Sequence, residues 1–166
     1  MRPLSDLVIY EEDLSRIIAC LSALQQKARS AATLLIDTSG QLIASAGDTG
    51  RLDMTPLASL AAGSIAAAGA LAQLLGEKEF SFVFYDGERK RLHLSVIGGR
   101  AILLVLLDQH SAVALVRLQV KKVSRDMEDI FRDLARRPTP VAGEGPSRSR
   151  IGEITDADVD NLFNKG

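Results

Sequence analysis

Apolar side chains recur at two different spacings along the chain, and the switches between them mark out its elements. From Asp13 to Arg29, the residues Leu14, Ile17, Ile18, Leu21, Leu24 and Ala28 follow a three-and-four repeat that sets them on one face of a helix. A short apolar run, Ala32 to Ile36, is followed by Asp37-Thr38-Ser39-Gly40 and then by Gln41 to Ala46. Asp hydrogen-bonds its own backbone and Gly takes positive φ, so this connector predicts a β-hairpin. A second helix is predicted from about Pro56 to Leu75, because proline is tolerated in a first turn and Gly76 supplies a left-handed stop. Phe80 to Tyr85, Arg91 to Val96 and Ala101 to Leu107 read as three antiparallel strands, divided by the short-turn pairs Asp86-Gly87 and Gly98-Gly99. In the middle strand Leu92, Leu94 and Val96 alternate with Arg91, His93 and Ser95, which predicts one buried and one more polar face. The last strand is apolar throughout and is expected at the centre of the sheet. From Ser111 onward, Val116, Val120, Val123, Met127, Ile130, Phe131 and Leu134 form one stripe of a long helix ending near Pro138.

The order helix, two strands, helix, three strands, helix predicts an α+β fold, a five-stranded antiparallel sheet flanked by helices, over residues 1–137. Residues 138–152 are rich in Pro, Gly, Ser and Arg and bury too little apolar surface to offset ordering entropy, so they read as a flexible linker. Over 153–166 a short docking helix is predicted. Thr155 is a good N-cap, Asp158 reaches back as in a capping box, and Ile154 with Val159 has hydrophobic-staple spacing. That helix is too short to be stable alone, and it displays Val159, Leu162 and Phe163 on one side among acidic residues.

Composition narrows the function. The chain has 166 residues, 46 % hydrophobic and 25 % charged, enough for one core without disulfide or metal. A formal net charge of -1 offers no long-range attraction for nucleic acid. Cys20 is the only cysteine, which fits a reducing compartment and a buried small side chain better than a nucleophile. The start, MRPLSDLVIYEEDL, has no apolar run of signal-peptide length, so no export is expected. Met54 to Gly76 is uncharged and long enough to span a bilayer, but Ala, Gly and Ser dominate it and it contains Pro56 and Gln73, so no membrane insertion is expected.

Catalytic signals are weak. His93 and His110 are the only histidines, no Cys/His spacing suits zinc, and neither a GxSxG elbow nor a GxxxxGK phosphate loop is present. Asp86, Glu88, Asp108 and His110 lie at turns, where solvated polar residues are the simpler reading. No metal, no cofactor and no catalytic residue is predicted.

The second helix is the informative element. At about 100° per residue, Leu57, Leu60, Ser64, Ala68, Leu71 and Leu75 fall together and are expected to cover the sheet. The other side carries Ala58, Ser59, Ala62, Gly63, Ala66, Gly69, Ala70 and Gln73 with no charge, although solvent-facing helices normally carry Lys and Glu. Such a face predicts a second polypeptide laid closely against it. A basic run, Arg117, Lys121, Lys122 and Arg125, is a second candidate surface, either solvated or facing an acidic or phosphate-bearing partner.

The element order, the hairpin LLIDTSGQLIASAG and the helix SLAAGSIAAAGALAQLLGE resemble the roadblock family, also called the dynein light chain roadblock type. Within that family the chain is most similar to the MglB type, bacterial polarity regulators that activate a Ras-like GTPase, MglA. LVIYEEDLSRI, GGRAILLVLLDQHSAVALVRLQVKKVS and the terminal EITDADVDNLF carry the same resemblance, and the terminal segment is specific because most roadblock proteins lack it.

The resemblance implies a cytoplasmic homodimer, accumulating at a cell pole, with second helices side by side and third strands joining two sheets. Its interface residues would be Ala58, Ala62, Gly63, Ala66, Gly69, Phe82 and Phe84. It further implies two copies per GTPase, bound through Ala62, Ala66 and Ala70, with Ser15 and Arg16 on the first helix and Lys122 on the last. GTP and Mg would belong to the GTPase, whose switch regions are held without a donated arginine finger; Arg16 or Arg51 as a finger is the competing idea. The terminal helix, through Ile154, Val159, Leu162 and Phe163, would reach a second site on the GTPase and affect nucleotide exchange, on a tether of about 15 residues. Two other classes compete: a scaffold subunit that tethers a GTPase or kinase without changing turnover, and a small-molecule sensor, which no cluster of convergent polar groups supports.

Overall fold

The structure, a computed structural model, describes residues 3–138. A 3-10 turn, Leu4–Asp6, leads into α1 (Glu11–Lys27), β1 (Ala32–Asp37), β2 (Leu42–Gly47), α2 (Met54–Leu74), β3 (Val83–Asp86), β4 (Lys90–Ile97), β5 (Ala101–Asp108) and α3 (Val113–Arg136). The predicted α+β class and element order hold. The strands form one antiparallel sheet in the order β2-β1-β5-β4-β3, so the all-apolar β5 is central, as expected.

The sheet is covered on both faces, and strand alternation divides its side chains between two cores. Leu35, Ile97, Ala101, Leu103, Val105 and Leu107 pack under α1 and α3, with Ile17, Leu21 and Leu24 from α1 and the predicted stripe Val116 to Leu134 from α3. On the other face Leu34, Ile36, Leu94, Ile102 and Leu104 pack under α2. Burial on both faces explains why β1 and β5 read as continuous apolar runs.

Turn chemistry follows the sequence closely. Gly98 and Gly99 both take positive φ (57° and 64°), and Arg100 N–H donates to the Ile97 carbonyl (3.0 Å), which closes a tight turn within the three-residue connection 98–100 between the paired Ile97 and Ala101. At the β1–β2 turn Gly40 has φ 96°, and a Cβ there would stand 3.2 Å from Ser59 Cα, so the bare turn is what lets the hairpin approach α2. Gly76, at φ 75°, is the left-handed stop after α2.

Asp37 anchors the same hairpin. Buried, it accepts from Ser5 N–H (3.0 Å), Ser5 hydroxyl (3.2 Å), Ser39 N–H (3.0 Å) and the Ser39 hydroxyl. Burial pushes its carboxyl up, but the hydrogen bonds from Ser39 and Ser5 outweigh that and hold it below the usual value.

Two expectations need correction. In β4 the alternation predicts one buried face and a more polar one at Arg91, His93 and Ser95; His93 and Ser95 on that polar face are buried as well, at 2 % and 6 % exposure, because α3 covers that side. In α2 the ridge assigned to the sheet is largely outside: Leu60, Leu71 and Leu75 are 73 %, 56 % and 70 % exposed, while Ala58, Ala61 and Ala72 are the buried positions. A helix without charges supplies no polar stripe to set its rotation, and alanines let it lie nearer the strands than leucines would.

Candidate partner-binding surface

α2 runs 21 residues over one sheet face, and among the described residues it is the helix long and apolar enough, by length and composition, to cross a membrane. Ala58 and Ala61 contact the sheet, with Leu57, Ala62 and Ile65 half-buried beside them. Outward stand Leu60, Gly63, Ala66, Ala67, Ala70, Leu71 and Leu74, with no charged side chain anywhere in the helix. Leu74 is 84 % exposed.

The glycines of this face are not required by the chain's own packing. A Cβ at Gly63 or Gly69 would meet nothing within 4 Å. Mid-helix glycine costs about 1 kcal/mol relative to alanine, so the protomer's own packing would accept a more stable alanine at both positions. Along one flank an apolar cleft of about 280 Å³ lies between Leu57, Leu60 and Ala61 of α2 and Tyr85, Leu92 and Leu94 of the sheet. Ser64 Oγ and Tyr85 Oη share a hydrogen bond across it (2.5 Å).

The residues predicted at interfaces divide between the two sheet faces. Gly63, Ala66 and Ala70 lie on the outer side of α2, with Ala62 and Gly69 half-buried at its margins. Ala58 does not belong to that surface: at 1 % exposure its methyl group is spent on the helix–sheet contact. Phe84 packs into the core under α1 and α3, and Phe82 stacks on His93 (centroids 5.2 Å apart) beneath the Arg117 guanidinium (4.1 Å). Both therefore sit at the β3 edge on the side away from α2. Burial first, and Arg117 second, depress the His93 pKa to about 4, so its imidazole is neutral at pH 7.

Ser15 and Arg16 are exposed on α1, and Lys122 on α3, on the opposite side of the sheet from α2. Ser15 Oγ donates to the Glu11 carbonyl (3.0 Å), and Arg16 lies 3.7 Å from both Asp13 and Asp133. Lys122 is 11 residues from Asp133 along α3, about 16 Å. One chain thus does not gather these three with the alanines of α2. Ile154, Val159, Leu162 and Phe163 lie outside the described residues.

The turn residues weighed as an acid–base set do not converge. Asp86 pairs with Arg91 (3.4 Å), and Glu88 is exposed. Asp108 accepts from His110 N–H (2.9 Å) and Ser111 Oγ (3.2 Å), and the first of these chiefly holds its carboxyl below the usual value. Cys20 is half-buried, and burial together with Asp126 raises its thiol pKa, against nucleophilic use. Among the described residues no three His, Cys, Asp or Glu side chains are grouped to hold a metal ion.

Helical projection places Leu60 and Leu71 on the sheet, whereas both are exposed, as is Leu74, which it left unassigned. The available signal was a second stripe, Ala58, Ala61, Ile65 and Ala72, with equally good helical spacing toward the sheet.

No curated protein sequence matches the chain. Among solved structures, MglB of Myxococcus xanthus superposes with a TM-score of 0.74 at 41 % identity, covering 80 % of this chain and 100 % of that one. The gliding protein MglB of Thermus thermophilus gives 0.72 at 29 % identity, covering 80 % and 99 %. An MglB with a tetrameric arrangement gives 0.74 at 28 %, covering 81 % and 99 %. The model of the Roadblock/LC7 domain matches residues 19–107, from within α1 to the end of β5, and the chain belongs to that family.

Proposed function

We propose that this chain is a GTPase-activating regulator of a bacterial Ras-like small GTPase of the MglA type, acting in cell polarity and motility. It works as a cytoplasmic homodimer, concentrated at a cell pole, with two copies meeting one GTPase. The observation that carries the reading is the outer face of α2: charge-free, leucine-edged, and bare at Gly63 and Gly69 where the protomer has room for side chains. A water-facing helix of this kind leaves apolar surface uncovered, and covering it is the driving force for association.

On this reading Ala66 and Ala70 meet the GTPase directly, and Ser15, Arg16 and Lys122 reach it from the other side of the sheet through the second copy. The Arg16 side chain lies beside Asp13 and Asp133, which favours holding the switch regions over donating an arginine finger. Nucleotide and Mg belong to the GTPase, and the chain needs no cofactor or catalytic site of its own. Ile154, Val159, Leu162 and Phe163 serve a second contact that modulates exchange. α2 stays on its sheet and out of the membrane, consistent with the burial of Ala58, Ala61 and Ala72 beneath it.

The test is GTP hydrolysis by the cognate Ras-like protein with and without this chain and its Ala66→Arg variant, with oligomeric state followed by light scattering. Hydrolysis is expected to rise with the natural chain and to fall to the basal rate with the variant. Full stimulation by the variant would show the wrong face, and tight binding without faster turnover would make the chain a tethering scaffold instead.

A further inference from the structure

The first half of α3 carries a surface that the proposed function leaves largely unpartnered. Arg117, Lys121, Lys122 and Arg125 are exposed around Leu118, itself 60 % exposed. Other arginines sit beside carboxylates: Arg16 by Asp133, Arg91 by Asp86, Arg132 by Asp129 and Arg137 by Asp13. These four α3 cations have no carboxylate at ion-pair distance among the described residues. An exposed leucine within four uncompensated positive charges matches an acidic segment with apolar anchors.

We infer that this surface is the docking site for the chain's own segment 153–163, laid antiparallel along α3 with Leu162 and Phe163 over Leu118. Charge agrees: the segment carries four carboxylates, Glu153, Asp156, Asp158 and Asp160, against the four cations Arg117, Lys121, Lys122 and Arg125. Length agrees as well. The 11 residues 153–163 span about 16 Å as a helix, and Arg125 back to Leu115 is the same 11 residues of α3. Reach is the third match. Pro138 lies 13 residues beyond Arg125, about 20 Å along the axis, and the 14 intervening residues 139–152 have an r.m.s. span of about 21 Å. The segment leaves from the end of α3 itself, so it meets this surface without crossing the sheet to α2.

Docking covers Lys122, so a GTPase contact there and the docked segment exclude each other. The surface would then keep the acidic segment in reserve until a partner takes it. This holds whether or not the chain activates a GTPase, and its test contains no GTPase.

The experiment is a spin–spin distance measurement on the full chain carrying Cys20→Ser, Ala114→Cys and Asn164→Cys, nitroxide-labelled and diluted with unlabelled chain. Docking places the labels within about 20 Å, whereas an undocked segment gives a broad distribution centred near ~45 Å. The short distance is expected to disappear in Lys121→Glu/Lys122→Glu/Arg125→Glu and to return when Asp156, Asp158 and Asp160 are also changed to Lys. In the natural chain it should weaken as salt rises to ~0.5 M, a control that needs no variant to fold. A broad distribution in the natural chain, or a short distance indifferent to both charge reversal and salt, overturns the inference. So does a short distance that fades as unlabelled chain is added, which would place the segment on a second copy.

Discussion

If a second polypeptide covers the outer face of α2, charging its two most exposed leucines should break assembly while sparing the protomer. Leu60 and Leu74 are 73 % and 84 % exposed, together about one and a half leucine side chains of uncovered apolar surface. Full burial of a leucine is worth about 2 kcal/mol, so complete coverage would return about 3 kcal/mol per chain, and half coverage in each of two symmetric copies about the same in total. Leu60→Lys/Leu74→Lys removes that gain and adds the cost of bringing ammonium groups toward an apolar surface, so self-association should weaken by at least about 100-fold. The protomer loses little: lysine is as good a helix former as leucine here, and its stem shields what the leucine shielded. Sedimentation equilibrium over a dilution series measures the first effect and a thermal melt at low concentration the second. Unchanged self-association in a normally folded variant would refute coverage of this face by another copy. A melting point lower by about 10 °C would show instead that the leucines serve the protomer's own core.

Two further outcomes follow from buried polar groups on the other sheet face. His93 is neutral in the fold with its pKa lowered to about 4, so between the ordinary value of about 6.5 and that point the unfolded chain binds the proton first; stability is full above that window and falls as pH drops through it, by at most about 3 kcal/mol. Denaturant melts at a series of pH values should show this slope in the natural chain and lose it in His93→Leu, and parallel slopes would contradict it. Asp13 is fully buried, accepts from Arg137 (2.6 Å) and has Arg16 3.7 Å away, so Arg137→Ala should cost about 2 kcal/mol by removing the nearer of its two cations, and Asp13→Leu/Arg137→Met should recover much of it. A melt of Arg137→Ala within about 1 °C of the natural chain would exclude that role.

What the sequence made legible depended on whether a segment's polarity reported its surroundings. The central place of β5 was readable because Ile102 to Leu107 carries no polar side chain, which only a strand covered on both faces tolerates. The phase of α3 was readable because charges line one side and Val116 to Leu134 the other. β4 misled because polarity is not exposure. His93 and Ser95 look like solvent-facing residues, yet α3 lies over them and leaves the His93 nitrogens and Ser95 Oγ without partners among the described residues. α2 misled for the opposite reason: with no charge on any side, nothing in its residues sets a rotation, and the projected ridge from Leu57 to Leu75 met no charged residue to contradict it. Asp37 was readable as a turn residue, but its hold on Ser5, 32 positions away, exists only once β1 and the Leu4–Asp6 turn are side by side.

The two sides of the sheet are built by different rules, and the difference points outward. Under α1 and α3 the facing positions are Ile17, Leu21, Leu24, Met127 and Phe131, side chains that return the most free energy on burial. Under α2 they are chiefly Ala58 and Ala61, while leucines of the same helix point into water. Turning those leucines inward would add several kcal/mol to a domain whose whole stability is of the order of 5–15 kcal/mol, and replacing Gly63 and Gly69 with alanine would add about 1 kcal/mol each. A protomer selected for its own stability alone has no reason to keep either arrangement. Both make sense if the free energy withheld from folding is recovered on association, because a partner that binds only the folded state stabilises it in proportion to its affinity.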